Sequence, residues 1–190
     1  MEKLIYLILQ HFAVMTSKVK SNSKNKKKYD LGKVFDKHVR HEFEDKDVKA
    51  TMTTMTDEPY VHNVPTLTGG VGYDGVYNFY TNHFVGKMPK DTEIIPVSRT
   101  VGKDQVVDEL ILKFTHDIPI DFMLPGILPT GKRVELAHVV VMKFKNNKIA
   151  HEHIYWDQAS LLAQIGLLDP KLLPVVGIKQ ARKLVKLSKK

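Results

Sequence analysis

His151-Glu152-His153-Ile154-Tyr155-Trp156-Asp157 is the stretch that decides the fold, and it runs directly into a segment that ends in Gln164-Ile165-Gly166. The alternation predicts a strand over 148–156, and the segment after it predicts a helix over 158–168. Successive strand side chains point to opposite faces. We expect the face with His151, His153, Tyr155 and Asp157 to line a pocket. The alternatives are a solvent-facing polar stripe and an Asp157 that only caps the helix.

Three long strands are predicted upstream of this stretch, over 92–101, 106–115 and 133–145. The first two form a hairpin in which Arg99 faces Asp108, while Val97 and Ile95 face Leu110 and Leu112. These apolar pairs place Arg99 and Asp108 on the inward face, where a charge pair is costly unless it is satisfied or useful. The alternative is a plain ion pair at the end of the sheet.

Helices are predicted before the sheet. Apolar residues recur at helical spacing from Leu31 to Phe43, and Asp30 is a suitable N-cap. A second helix over 48–55 ends at Asp57-Glu58-Pro59. A short strand over 60–65 and a turn at Thr68-Gly69-Gly70 then lead to a third helix over 73–84. Helices followed by an antiparallel meander indicate an α+β fold, with N-terminal helices packed on a curved, mostly antiparallel sheet.

The loop 117–132 is long and rich in Pro, Gly and large apolar residues. Such a loop is typical of a segment that covers something. Phe122 and Met123 are therefore expected to pack over the cavity. A loop that plugs the core together with Tyr80, with no ligand beneath it, is the competing interpretation.

The formal charge of +8 on 190 residues is concentrated at the two ends of the chain. Residues 1–28 form an apolar and then basic leader, residues 29–170 one domain, and residues 171–190 a basic amphipathic helix. The basic ends permit weak contact with anionic surfaces but predict no specific nucleic-acid binding. We expect a cytoplasmic protein. A targeting role for the first apolar segment, which is too short to span a bilayer, is an open alternative.

The chain contains no cysteine, which excludes disulfides, thiolate zinc sites and cysteine nucleophiles. His151-x-His153 places two imidazoles on one strand face, but no third ligand is implied, so we predict neither a metal nor a cofactor. No glycine-rich phosphate loop or nucleophile elbow is present. The remaining chemistry is acid–base catalysis by carboxylates and histidines. His116 at the mouth of the covering loop is a better candidate than His138, which is expected to lie in the core.

Several motifs together resemble the SnoaL-like polyketide cyclase family of the nuclear transport factor 2-like superfamily. They are Thr115-His116, the Pro125–Val134 segment, and the path from Lys148-Ile149 through Trp156-Asp157 to Gln164-Ile165-Gly166. The resemblance covers residues 29–169 and implies a cone-shaped α+β fold. It extends to the SnoaL-like domain found beside dienelactone hydrolases, whose cysteine nucleophile this chain lacks.

The resemblance implies that Asp157 matches the aspartate that serves the cyclases as general acid/base in an aldol closure. His116 and His153 would then position a carbonyl or water, in a cofactor-free cyclase, isomerase or hydrolase. The alternative is a non-catalytic ligand-binding or dimerisation module. The expected partners are a small hydrophobic or carbonyl-containing molecule and a second copy of the chain. The residues expected to contact the small molecule are His62, Tyr80, Arg99, Asp108, Phe122, Met123, His138, His151 and Tyr155.

Overall fold

The structure is a computed structural model, and it describes residues 30–189. The leader predicted over 1–28 lies outside the described residues. Two long segments without helix or strand occur, between the fourth and fifth strands and between the last two helices. The elements are α1 (Leu31–Arg40), α2 (Val48–Thr53), β1 (Met55–Asn63), β2 (Thr68–Val71), α3 (Gly72–Phe79), β3 (Glu93–Val101), β4 (Gln105–Thr115), β5 (Arg133–Lys145), β6 (Lys148–Trp156), α4 (Gln158–Gln164) and α5 (Lys179–Ser188).

The six strands form one sheet in the order β2-β1-β6-β5-β4-β3. Neighbouring strands run antiparallel, except that β1 pairs in parallel with β6. The helices α1 and α3 cover the inner face of this sheet, and the core between them includes Phe35, Val76, Phe114 and Met142. The predicted α+β class, with helices on a mostly antiparallel sheet, is confirmed.

Helices α1 and α3 each continue into a wider π-helical turn, over His41–Asp45 and Tyr80–Phe84. In the second turn the amide of Val85 donates to the carbonyl of Tyr80, five residues back, at 2.9 Å. A π-helical turn holds one more residue than the α-helical turn it replaces, which changes the direction of the side chains after it. Helix α1 itself begins where predicted, because the Asp30 side chain accepts a hydrogen bond from the Lys33 amide.

The strand predicted over 60–65 begins earlier, at Met55, and Asp57-Glu58-Pro59 lies within it. The prediction that these residues end a helix is therefore wrong. The ladder between β1 and β6 is irregular between Met55 and Tyr60, and Pro59, which has no amide hydrogen, is tolerated at such an interruption.

The predicted turn at Thr68-Gly69-Gly70 is instead part of the edge strand β2. The two glycines allow very close backbone contacts there. A Cβ atom on Gly69 would lie 2.0 Å from the Val61 carbonyl oxygen, and one on Gly70 would lie 2.2 Å from that of Gly75. Strand β2 can therefore approach both β1 and α3.

The hairpin of β3 and β4 pairs Arg99 with Asp108, as predicted. The predicted pairs of Val97 with Leu110 and of Ile95 with Leu112 are wrong, because the register shifts between Pro96 and Ser98. A bulge adds one unpaired residue to a strand and displaces every partner beyond it by one position.

Helix α5 packs on the outer face of β5. Ala181 is fully buried, and the Arg182 side chain bonds Glu135 of β5 at 2.8 Å. Between residues 30 and 189, no helix combines the length and the hydrophobicity needed to span a bilayer.

The Gly70→Ala variant should lower the free energy of unfolding by roughly 1–3 kcal/mol, because a new Cβ would collide with the backbone of Gly75 and Val76. Urea denaturation followed by circular dichroism measures this. Gly75→Ala is the control: its Cβ would lie 3.6 Å from its nearest neighbour, so we expect no loss of stability. Equal stability of the two variants would contradict the close approach.

Candidate active site

A cavity of about 610 Å³ lies between α1, its π-helical turn and the inner faces of β3, β4, β5 and β6. A cavity of this size accommodates a small organic molecule. Its walls are largely apolar and include Phe35, Val39, Phe84, Leu110, Val140 and Ile154. Phe122 of the 117–132 loop also lines the cavity, as predicted for that loop.

Two neighbouring residues of that loop are tied to the rest of the domain by their carbonyl groups. The Phe122 carbonyl accepts hydrogen bonds from the hydroxyls of Thr66 at 2.7 Å and Thr68 at 2.9 Å. The Met123 carbonyl accepts one from Gln158 at the start of α4. The loop wall of the cavity is therefore anchored to β2 and α4.

Arg99 lies on the cavity wall between two carboxylates. Its Nε and Nη2 donate to the two oxygens of Asp108 at 2.6 and 2.7 Å, and its Nη1 donates to Asp36 Oδ1 at 2.7 Å. The guanidinium also lies over the Phe35 ring, 4.7 Å from its centroid. A bidentate pair of this kind fixes the orientation of the guanidinium. Asp36 is thereby held by a cation that cannot rotate away.

A second polar cluster, His38, Glu42 and Glu152, is buried where α1 meets β6. His38 Nε2 lies 3.1 Å from Glu42 Oε1 and 3.0 Å from Glu152 Oε1. The Tyr80 hydroxyl donates to Glu152 Oε1 at 2.7 Å. Glu42 and Glu152 also line the cavity, so the cluster is in contact with its interior.

The orientation of the His38 ring follows from its neighbours. The Thr54 hydroxyl donates its single hydrogen to the Thr51 carbonyl at 2.6 Å. It can therefore only accept from His38 Nδ1, which lies 2.6 Å away, so Nδ1 carries a proton. Nε2 then faces the two glutamates.

Burial and charge act against each other on these groups. Burial lowers the pKa of His38, but the negative charges of Glu42 and Glu152 outweigh it and raise that pKa to about 10. Burial raises the pKa of Glu42. Burial likewise raises the pKa of Asp36 and of Asp108, against the opposing effect of Arg99. Carboxyl groups with raised pKa values are suited to proton transfer near neutral pH.

Three buried side chains on the cavity wall have polar atoms without a hydrogen-bond partner among the described residues. They are Glu42 Oε1, both amide atoms of Asn63, and His138 Nδ1. Burial lowers the pKa of His138 to about 4, so its ring is neutral at pH 7. Each unpaired buried polar group costs about 1–3 kcal/mol. Such groups at a cavity are suited to hydrogen bonding a polar ligand.

The prediction that the face with His151 and His153 lines the pocket is wrong. Glu152 and Ile154, on the opposite face of β6, line the cavity. His153 instead accepts or donates a hydrogen bond with Tyr60 at 2.9 Å, and its ring stacks on His151. His62 pairs with His153 on this outer face, and Tyr155 is exposed there too. His151 and His153 are half-buried on this outer face.

Asp157 is exposed and is the N-cap of α4. It accepts hydrogen bonds from the Ser160 amide at 3.0 Å and from the Ser160 hydroxyl at 2.6 Å. It is not among the described residues that line the cavity, and neither is His116, which is buried and bonds Thr130. The geometry therefore supports the capping role of Asp157 and gives no support to its predicted catalytic role.

Four other predicted residues do lie at the cavity: Arg99, Asp108, Phe122 and His138. Met123 is buried in the core, and Tyr80 is buried beneath the glutamates. The sequence interpretation missed Asp36, Glu42, Asn63 and Glu152. One signal was available for Glu42, because it follows His38 by four residues and so shares its helix face.

Comparison with known proteins identifies the family of this chain. The family model for SnoaL-like polyketide cyclases matches residues 36–165, more than half of the chain. The chain belongs to the SnoaL-like polyketide cyclase family. This confirms the resemblance of the motifs. A search of curated proteins found no significant match.

Solved structures show the same fold as this SnoaL-like chain. TsrD from Streptomyces laurentii is 16% identical with a TM-score of 0.58, over 74% of this chain and 100% of that one. An NTF2-like protein from Burkholderia pseudomallei K96243 is 12% identical with a TM-score of 0.55, over 73% and 99%. SalBIII, an epoxide hydrolase/cyclase-like enzyme with a role in pyran ring formation in salinomycin, is 18% identical with a TM-score of 0.50, over 67% and 90%. The predicted nuclear transport factor 2-like fold is confirmed.

The free energy of unfolding should fall as the pH rises from about 6.5 to about 10. The folded-state pKa of His38 is raised above its unfolded value. The stability that protonated His38 contributes is therefore fully present below pH 6.5 and is lost as the pH rises through the folded-state pKa. One proton limits the slope to about 1.4 kcal/mol per pH unit. Glu42→Gln removes one charge that raises this pKa and should therefore narrow the pH range over which the free energy of unfolding falls. The exposed Glu44→Gln is the control, and urea denaturation across pH is the measurement.

Proposed function

We propose that this SnoaL-like protein is an acid–base enzyme that acts on a small, largely apolar molecule with a carbonyl or hydroxyl oxygen. The observation that supports this most is an apolar cavity of about 610 Å³ with Asp36 held on its wall by Arg99. Asp36 takes the role that the sequence predicted for Asp157. The reaction is of the cyclase, isomerase or hydrolase type.

Asp36 has the properties of a proton-transfer group. Its side chain is 22% exposed, whereas those of Arg99 and Asp108 are each 2% exposed, so Asp36 is the more accessible of the two carboxylates. Arg99 Nη1 donates a hydrogen bond to its Oδ1. Burial raises its pKa. A carboxylate in this environment can take a proton from a carbon beside a carbonyl, or from water, and return it.

Arg99 and Asp108 position this group. Asp108 neutralises Arg99 and holds it through two hydrogen bonds, so that Arg99 can stabilise ionised Asp36 without being free to bind a substrate anion. The charge balance of the wall also disfavours an anionic ligand, because more carboxylates than cations line it: Asp36, Glu42, Glu44, Glu93, Asp108, Asp117 and Glu152 against Arg40, Lys46, Lys90 and Arg99. We infer a neutral substrate.

Asn63 and His138 supply contacts for substrate oxygens. The Asn63 amide offers both a donor and an acceptor, and the neutral His138 ring offers Nδ1. Specific hydrogen bonds on an otherwise apolar wall fix the orientation of a ligand more than its affinity. The polar atoms of the substrate are therefore expected to face β1 and β5.

A non-catalytic ligand-binding or dimerisation module is the alternative for the same fold. The half-buried outer face of β1 and β6, with Tyr60, His151 and His153, is a surface on which the expected homodimer could form. A module of this kind would bind a molecule in the cavity without turning it over. The two functions therefore differ in whether turnover occurs and depends on Asp36.

Asp36→Asn should lower kcat at least about 100-fold while ligand affinity is retained, because general acid–base groups contribute about that much. Ligands are first found by thermal shift with small ketones, lactones and polyketide-like aromatics, and turnover is then measured by mass spectrometry. Asp157→Asn is the control, since asparagine caps a helix as well as aspartate does and should leave turnover unchanged.

The reverse result, with Asp157→Asn inactive and Asp36→Asn active, would show that Asp157 and not Asp36 is the general acid/base. Binding without turnover in the unmodified protein, across all ligands found, would favour the module. Neither outcome requires a variant that unfolds, because both substitutions preserve side-chain shape.

Asn63→Leu should raise the free energy of unfolding by about 1–2 kcal/mol, because it removes a buried amide with two unpaired atoms. The same variant should bind ligands more weakly. Asn82→Leu, at an exposed position in the π-helical turn after α3, is the control and should change stability by less than about 0.5 kcal/mol. Loss of stability in Asn63→Leu would show that the amide has a structural role instead.

A further inference from the structure

The cluster of His38, Glu42 and Glu152 has the composition of a metal site. One nitrogen and two carboxylate oxygens, one from each residue, all lie within 4.8 Å of one another. The His38 side chain is fully buried and those of the glutamates are 5% exposed. The two distances from Nε2, 3.1 and 3.0 Å, are close to the separation of about 3.0 Å between ligands at right angles on one ion at about 2.1 Å.

The support behind His38 is also that of a metal ligand. Its Nδ1 donates to the Thr54 hydroxyl, and the Thr54 hydroxyl is itself fixed on the Thr51 carbonyl. A ligating histidine generally donates its second ring hydrogen to an oxygen, which fixes the ring and directs the other nitrogen at the ion. Here that nitrogen, Nε2, is directed at the two carboxylates.

Glu42 provides an independent indication of a ligand. Its Oε1 is buried and makes no hydrogen bond of regular geometry among the described residues, and its contact is the ion pair with His38 Nε2 at 3.1 Å. Glu152, by contrast, accepts a hydrogen bond from Tyr80. A buried carboxylate whose charge is balanced only by a histidine that it shares with a second carboxylate is costly, and coordination to a cation is one way to satisfy it.

The cluster is also accessible. Glu42 and Glu152 line the cavity, so an ion could reach them through the same opening as a ligand. A neutral imidazole with two carboxylates carries two negative charges, and a divalent cation would balance them.

We propose that His38, Glu42 and Glu152 bind one divalent first-row transition-metal ion at the wall of the cavity. The donor set contains no sulfur, and imidazole with carboxylates suits Mn²⁺, Fe²⁺ or Zn²⁺. The ion takes the place of the shared protons, and His38 Nε2 exchanges its 3.2 Å contact with the Tyr80 hydroxyl for the metal. Binding therefore releases protons and weakens as the pH falls.

The test uses Mn²⁺ as the probe on the full chain after chelator treatment, with free Mn²⁺ followed by electron paramagnetic resonance. We expect saturable binding of one ion per chain at pH 8, accompanied by proton release into a weak buffer. Glu42→Gln should raise the Kd at least about tenfold. Glu44→Gln, two residues further along the same π-helical turn and exposed, should leave the Kd unchanged.

Absence of saturable binding, or equal binding by wild type and Glu42→Gln, would overturn the proposal. Protons alone would then balance the charges of Glu42 and Glu152. If Glu42→Gln loses its fold by circular dichroism, Glu152→Gln provides the same comparison. The result does not depend on the proposed function: Asp36→Asn should bind Mn²⁺ like the wild type, even if it is inactive.

Discussion

The parallel pairing of β1 with β6 determines which side chains reach the interior of the sheet. It sets Val61 beside Glu152 and Asn63 beside Ile154 on the inner face, and His62 beside His153 on the outer face. A shift by one residue would exchange the two faces of a strand completely. The polar groups of the cavity, and the half-exposed imidazoles behind it, therefore both depend on this register.

Within that interior the charges are arranged in two similar groups. In each, a cation lies between two carboxylates: Arg99 between Asp36 and Asp108, and His38 between Glu42 and Glu152. Removing charges from water is expensive, and replacing such groups by apolar residues is often neutral or stabilising. Two buried groups of this kind beside one cavity are therefore easier to explain by chemistry than by stability.

Much of the architecture could be predicted from local pattern. The strands from β3 to β6, the cap at Asp30 and the pairing of Arg99 with Asp108 follow from alternation and turn chemistry. The shift beyond Pro96 and the edge strand at Gly69 could not be predicted, because a bulge and a close backbone approach are set by tertiary contacts.

The site was harder to predict than the fold, because the inward face of β6 was assigned from its histidines and not from hydrophobic alternation. Along β6 the set Ala150, Glu152, Ile154 and Trp156 is the more apolar one, and hydrophobic alternation alone would have placed it inside. The histidines on the other set attracted the functional interpretation instead. Glu152 was missed because a single carboxylate in an apolar set has no motif, and its partner His38 is more than a hundred residues away in the sequence.

The two π-helical turns make the cluster of His38, Glu42 and Glu152 sensitive to deletions of a single residue. Glu42 of the polar cluster lies in one turn, and Tyr80, which donates a hydrogen bond to Glu152 of that cluster, begins the other. Deleting a single codon there would restore regular α-helical winding and rotate the residues beyond it by about 100°. A deletion of one residue in either turn would therefore displace part of the cluster without changing the sequence of any strand.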